Sequence, residues 1–194
     1  MEQIRSFIAI ELSRGLKKEL AGLRSRLQNP PRPWVKWIDP ESIHITLKFL
    51  GDIPADRVED IQAAMEEAAC GITPFTLKAG GLGVFPNPRR AQVIWVGLIG
   101  ETERLAALQQ RLEKRLEAIG FPAETRPFSA HLTLGRLRQD ALPPQREDIG
   151  RLAAATECCL SSEIAVEAIC LMKSQLTPRG AIYSHLASIP LKNS

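Results

Sequence analysis

One short pattern occurs twice in this chain, as His44-Ile45-Thr46-Leu47 and as His131-Leu132-Thr133-Leu134. Each copy separates a histidine from a threonine by one apolar residue, and the chain has only three histidines to spend. Residues two apart on an extended strand project from the same face. Each copy therefore sets an imidazole beside a hydroxyl, while Ile45 or Leu132 points into a core. A fold that brings the two strands together assembles two proton carriers and two hydroxyl donors in one small site.

The rest of the chain supplies a frame for two such strands. Arg5 to Leu12 reads as an apolar strand, and Ser13 is placed to cap a helix carrying Leu16, Leu20, Leu23 and Leu27 at helical spacing. The prolines of 29–33 break the chain before a short strand at Trp34 to Ile38 and the first motif strand at Ile43 to Leu50. Helices are predicted over Ala55 to Ala69, Glu101 to Ile119 and from Pro143-Pro144 to Thr156. Strands are predicted at Phe75 to Phe85, Ala91 to Val96, Ser129 to Arg138, Ile164 to Met172 and Ala181 to Ile189. The last two flank a turn at Pro178-Arg179-Gly180. Hairpin-joined strands with separate helices point to an α+β fold rather than a doubly wound sheet. The expected architecture is two pseudo-symmetric lobes of mostly antiparallel sheet with outer helices and a cleft between them, one bilobal domain over 1–194. Each half of the chain is expected to build one lobe around its own motif strand.

Composition narrows the functional classes. A length of 194 residues can bury a substantial core. No apolar run is long enough to cross a bilayer, and the N-terminus lacks the pattern of a secretory signal. A cytoplasmic location follows as an expectation, with a monomer as the default. Cys70, Cys158, Cys159 and Cys170 show no CxxC spacing, so they read as reduced, mostly apolar residues. No glycine-rich phosphate loop of the dinucleotide or nucleoside triphosphate type is present. The net charge is +3, and the 25 basic residues divide as 17 arginines to 8 lysines. Arginine's planar fork suits phosphate recognition, so the balance leans toward an anionic ligand.

A single His/Thr pair on a strand face is as readily a solvated surface as a site. The same residues at the same spacing in two halves of the chain are much harder to obtain by chance. Histidine titrates near pH 6.5, so one imidazole can accept a proton while another donates one. Attack of water on a cyclic phosphate requires both functions. Thr46 and Thr133 can hydrogen-bond the non-bridging oxygens as charge builds on phosphorus. Neither histidine is flanked by the carboxylates or second histidine of a dinuclear centre, so no metal or other cofactor is expected.

The stretches HITLKFLG and HLTLGR resemble the two HxTx motifs of the 2H phosphoesterases, specifically the RNA 2′,3′-cyclic phosphodiesterases historically called 2′-5′ RNA ligases. Arg5 to Ile10, Val84 to Arg90 and Lys173 to Tyr183 are similar to further stretches of that family, so the resemblance spans essentially the whole chain. It departs at Ala130, where the family often carries proline before the second histidine. The resemblance implies hydrolysis of RNA 2′,3′-cyclic phosphate ends, tRNA halves among them, to 2′-phosphomonoesters. It implies that His44 protonates the leaving 3′ oxygen, that His131 activates water and that Thr46 and Thr133 bind phosphate. The residues themselves do not distinguish donor from acceptor. Reversible 2′-5′ ligation uses the same groups. Two other readings compete: a phosphodiesterase of small cyclic phosphates such as ADP-ribose 1″,2″-cyclic phosphate, and a noncatalytic module that binds RNA ends.

Arg136 shares the second motif, but an unbroken strand puts it on the face opposite His131. It joins the site as a substrate-binding residue only through a twist or bulge. Lys48 has the parity of His44 and reads equally as a solvated residue. Trp34, Trp37 and Phe85 are candidates for stacking on a base but more readily pack in the core. His185, Tyr183 and Ser174 read as structural.

Overall fold

The computed structural model describes residues 2–177 and 180–192. Strand β1 (Gln3–Ile10) leads into helix α1 (Arg14–Leu27), where Ser13 accepts a hydrogen bond from the Leu16 amide at 3.3 Å. Leu16, Leu20, Leu23 and Leu27 form its buried face, as their spacing dictates. Then come β2 (Val35–Trp37), β3 (Ile45–Pro54), α2 (Val58–Ala69), β4 (Phe75–Phe85), β5 (Val93–Gly100) and α3 (Thr102–Ala118). The chain continues through β6 (His131–Leu137), α4 (Pro143–Ala155), β7 (Glu163–Val166), β8 (Ala168–Thr177) and β9 (Gly180–Pro190).

The strands form two sheets, ordered β3-β1-β8-β9 and β2-β6-β5-β4-β7, with antiparallel pairing throughout. The fold is therefore α+β, and one continuous apolar core runs through both sheets and the helices. The motif strands belong to different sheets. β3 is an edge strand of the first, and β6 lies second from the edge of the second.

Two expectations are corrected. The run Ile164 to Met172 is two strands, because the chain leaves the second sheet after Val166 and enters the first at Ala168. The Glu167 carbonyl accepts the Leu191 amide at this switch, and no glycine or proline marks it in the sequence. Nor does each half of the chain build its own lobe. β2 crosses to pair with β6, while β8 and β9 return to cover β1. The turn expected at 178–180 falls on positions outside the described residues at 178 and 179. No helix among the described residues is long and apolar enough to cross a membrane.

Candidate active site

Both motif strands carry a bulge at the same place. β1 and β3 pair as Ala9↔Thr46 and then Ile8↔Lys48, which leaves Leu47 as the extra residue. β5 and β6 pair as Trp95↔Thr133 and then Ile94↔Gly135, which leaves Leu134 as the extra residue. A bulge resets the alternation of the strand. Beyond Leu134, Gly135 is buried and Arg136 emerges on the side of His131 and Thr133. The bulge, not the bare parity of the sequence, brings Arg136 to the cleft. Beyond Leu47 the same reset turns Lys48 inward and brings Phe49 out, 60% exposed, to the lining that Thr46 shares. Phe49 and Arg136 thus occupy equivalent positions after the two motifs, and Lys48 is neither solvated nor beside His44.

Each imidazole is gripped in the same way. Nδ1 of His44 lies 2.9 Å from the Ser42 carbonyl, and Nδ1 of His131 lies 2.7 Å from the Ser129 carbonyl. A carbonyl can only accept, so Nδ1 carries the hydrogen in both rings and Nε2 is left for chemistry. The repeat is therefore longer than HxTL, with a serine two residues before each histidine. Aromatic rings from neighbouring strands complete the grip. Phe7 stacks on His44 at 4.6 Å, with Tyr183 edge-on at 5.3 Å, and Phe85 meets His131 edge-on at 5.1 Å.

This packing sets the electrostatics. Burial penalises the imidazolium and lowers the pKa of His44 to about 4, with Lys17 adding to the effect and the Ser42 carbonyl and Glu11 opposing it. His131 is also held below its ordinary value, first by burial and then by the Arg136 charge, against the Ser129 carbonyl. Both rings are therefore held toward the neutral form near pH 7. Burial also pushes the Tyr183 hydroxyl up, so it stays a phenol.

Two adjoining cavities share Thr46, Phe49, Thr133 and Arg136 in their walls. One, of about 260 Å³, also reaches His44, and the other, of about 910 Å³, reaches His131. The structure thus brings the five sequence-nominated residues to one cleft. Phe85 lines it, whereas Trp34 and Trp37 pack against the core. Tyr183 and Ser174, read as structural from the sequence, line the cavity beside His44. Arg5 and Ser6 join them; Ser6 is 2% exposed, and its hydroxyl has no hydrogen-bond partner among the described residues. Nothing in a strand of mainly apolar residues signals that role.

Lys48 ties β3 to α3 and to the loop that leads into β6. Its Nζ donates to Glu113 at 2.7 Å on α3 and to the Pro122 carbonyl at 2.6 Å. Pro122 opens the loop that delivers Ser129 and His131. Among the described residues one group could hold a metal ion, Glu11, Cys170 and His185, whose ligand atoms lie within 4.8 Å of one another. His185 already bonds Glu11 at 3.2 Å, and burial keeps the Cys170 thiol protonated. The chemistry of the cleft does not call on this group.

The sequence pattern of the LigT-like phosphoesterase family matches residues 10–95 and 97–183. An RNA 2′,3′-cyclic phosphodiesterase of Methanothermobacter thermautotrophicus is 32% identical over 95% of this chain and 97% of its own length. Another, of Archaeoglobus fulgidus, is 31% identical over 94% of this chain and 98% of its own. A solved structure from Thermus thermophilus superposes with a TM-score of 0.79 at 26% identity, covering 98% of this chain and 99% of that one. Escherichia coli LigT in complex with 3′-AMP shares the fold, with a TM-score of 0.80 at 21% identity over 99% of this chain and 100% of that one.

Proposed function

The chain belongs to the LigT-like phosphoesterase family, and on that premise we propose that it hydrolyses RNA 2′,3′-cyclic phosphate ends to 2′-phosphomonoesters. His44 and His131 are the proton carriers, and Thr46, Thr133 and Arg136 hold the phosphate. The observation that carries this reading is the matched presentation of two imidazoles, each fixed through Nδ1, beside two threonines and an arginine in one cleft. The names of the relatives support the substrate class.

One imidazole Nε2 takes a proton from water as its oxygen bonds to phosphorus. The bond from phosphorus to the 3′ oxygen breaks, and the second imidazole protonates that oxygen, leaving the phosphate on the 2′ oxygen. The threonine hydroxyls and the Arg136 guanidinium meet the charge that develops on the non-bridging oxygens. A bound phosphodiester carries the negative charge that favours the imidazolium, so the acid takes up its proton with the substrate. Two positioned imidazoles supply both the base and the acid that the displacement needs. In this reading no metal takes part, and turnover is expected to survive excess chelator. With a 5′-hydroxyl in place of water the same steps make a 2′-5′ linkage, which tRNA halves at high concentration test.

The family pattern gives His44 the acid role and His131 the base role. Burial holds both imidazoles toward the neutral form, so either can start as the proton acceptor. A substrate with sulfur at the bridging 3′ position separates the two, since a thiolate leaves without an acid. The variant lacking the acid keeps its rate on that substrate, and the variant lacking the base does not. On ordinary substrate, His44→Ala and His131→Ala each lower turnover by roughly 10² to 10⁴. Wild-type turnover in both variants overturns the proposal.

A further inference from the structure

On the open face of the second sheet, Lys36 of β2 and Arg136 of β6 are direct cross-strand partners, both exposed. Side chains so placed have Cβ atoms only about 4.5–5.5 Å apart, and like charges there destabilise the sheet. No carboxylate relieves them: neither makes an ion pair among the described residues. Arg138, two positions on and exposed, extends the row past the end of the strand. It spends one donor on the Pro33 carbonyl at 2.9 Å. The Arg146 guanidinium bonds both the Ala91 and Arg138 carbonyls, seating the β4–β5 connection against this end of the row. That connection carries Arg89 and Arg90, both exposed and without an ion pair among the described residues.

We propose that this row, running from Arg136 in the cleft over Lys36 and Arg138 to Arg89 and Arg90, binds the phosphodiester backbone of single-stranded RNA. The inference rests on the cyclic-phosphate reading of the cleft. A 2′,3′-cyclic phosphate terminates the 3′ end of a strand, so the remaining phosphates all lie on the 5′ side of the reacting nucleotide. They must leave the cleft along one wall. Arg136 belongs to both the cleft and the row, so positive charge continues from the site along this wall. A row of fixed cations with no internal carboxylate lowers its self-repulsion when a polyanion lies along it. The enzyme then prefers RNA ends to mononucleotides, without reading base sequence.

The test compares wild type with Lys36→Gln, which adds no carboxylate opposite Arg136, and with the double variant Arg89→Glu/Arg90→Glu; Lys114→Glu on the exposed face of α3 supplies a change of charge elsewhere. Binding of a short RNA ending in a 2′-phosphate is measured by fluorescence anisotropy, alongside turnover of a 2′,3′-cyclic mononucleotide. The row variants are expected to bind the RNA at least about fivefold more weakly. Their salt dependence should also be shallower, by roughly 0.7 in logarithmic slope for each phosphate no longer neutralised. Mononucleotide turnover stays at the wild-type value, and Lys114→Glu leaves both readouts unchanged. The proposal is overturned if wild type binds the RNA no more tightly than a 2′-phosphate mononucleotide, or if the row variants bind it as wild type does. An equal loss from Lys114→Glu overturns it too. Absence of mononucleotide turnover in wild type refutes the reading of the cleft instead, while the binding comparison still decides the row.

Discussion

Replacing Lys48 by methionine should cost this protein about 3 kcal/mol of stability, a figure that follows from what the ammonium touches. The side chain is 3% exposed and its partner Glu113 only 15%. Removing one member of a buried pair costs about 3–5 kcal/mol, because the other charge is left in a poorly solvating environment. Glu113 retains the Gln109 side-chain amide at 3.0 Å and the Glu124 backbone amide at 3.3 Å, which holds the cost at the lower end. The Pro122 carbonyl loses its donor at the same time. In a domain of this size each kcal/mol lowers the melting temperature by about 2–4 °C, so a drop of roughly 6–12 °C is expected. Urea and thermal unfolding followed by circular dichroism measure it. Lys48→Met combined with Glu113→Leu removes both charges together and should recover much of the loss, since a well-packed apolar pair is nearly neutral relative to the ion pair. The reasoning is refuted if the single variant lies within about 1 kcal/mol of wild type, or if the double variant is no more stable than the single one.

Three further outcomes are expected. His44 has a folded-state pKa of about 4 against 6.5 unfolded, so the unfolded chain binds the extra proton and stability falls as pH drops from 6.5 toward 4. The contribution is at most about 3 kcal/mol; His44→Gln should flatten that part of the stability-against-pH curve, and an unchanged slope would falsify the depressed pKa. Arg136→Ala should raise the titration midpoint of His131 in NMR while leaving it below the value of a free histidine, because burial outweighs the arginine charge. A midpoint that falls, or one that reaches the free value, contradicts that ranking of causes. Gly150→Ala drives a Cβ into the Pro88 carbonyl, where backbone rather than a flexible side chain must yield. Overpacking of about 1–3 kcal/mol should outweigh the helix propensity gained, and the urea midpoint should fall.

Much of the frame was legible because its signals are local. The leucine spacing of α1 and α3, the Ser13 cap and the limits of β4 depend on residues within one or two turns of one another. The break at Glu167 was not legible. An apolar run buried on one side reads the same whether it stays in one sheet or moves to another, and the deciding hydrogen bond comes from Leu191. Tyr183 read as structural for a similar reason. It is an ordinary residue of a terminal strand until β8 and β1 place it edge-on to His44.

By itself the sequence determined which polar groups share a strand face. Two histidines and two threonines at period two need only an extended backbone to share a face, and backbone geometry is a local property. Whether Arg136 and Lys48 join them was decided only by tertiary structure. Each follows a bulge, and a bulge is a property of the pairing between two strands, invisible in either one. The same two pairings set Arg136 in the cleft and buried Lys48 against Glu113. Burial, likewise a tertiary quantity, is what holds both imidazoles below their ordinary pKa.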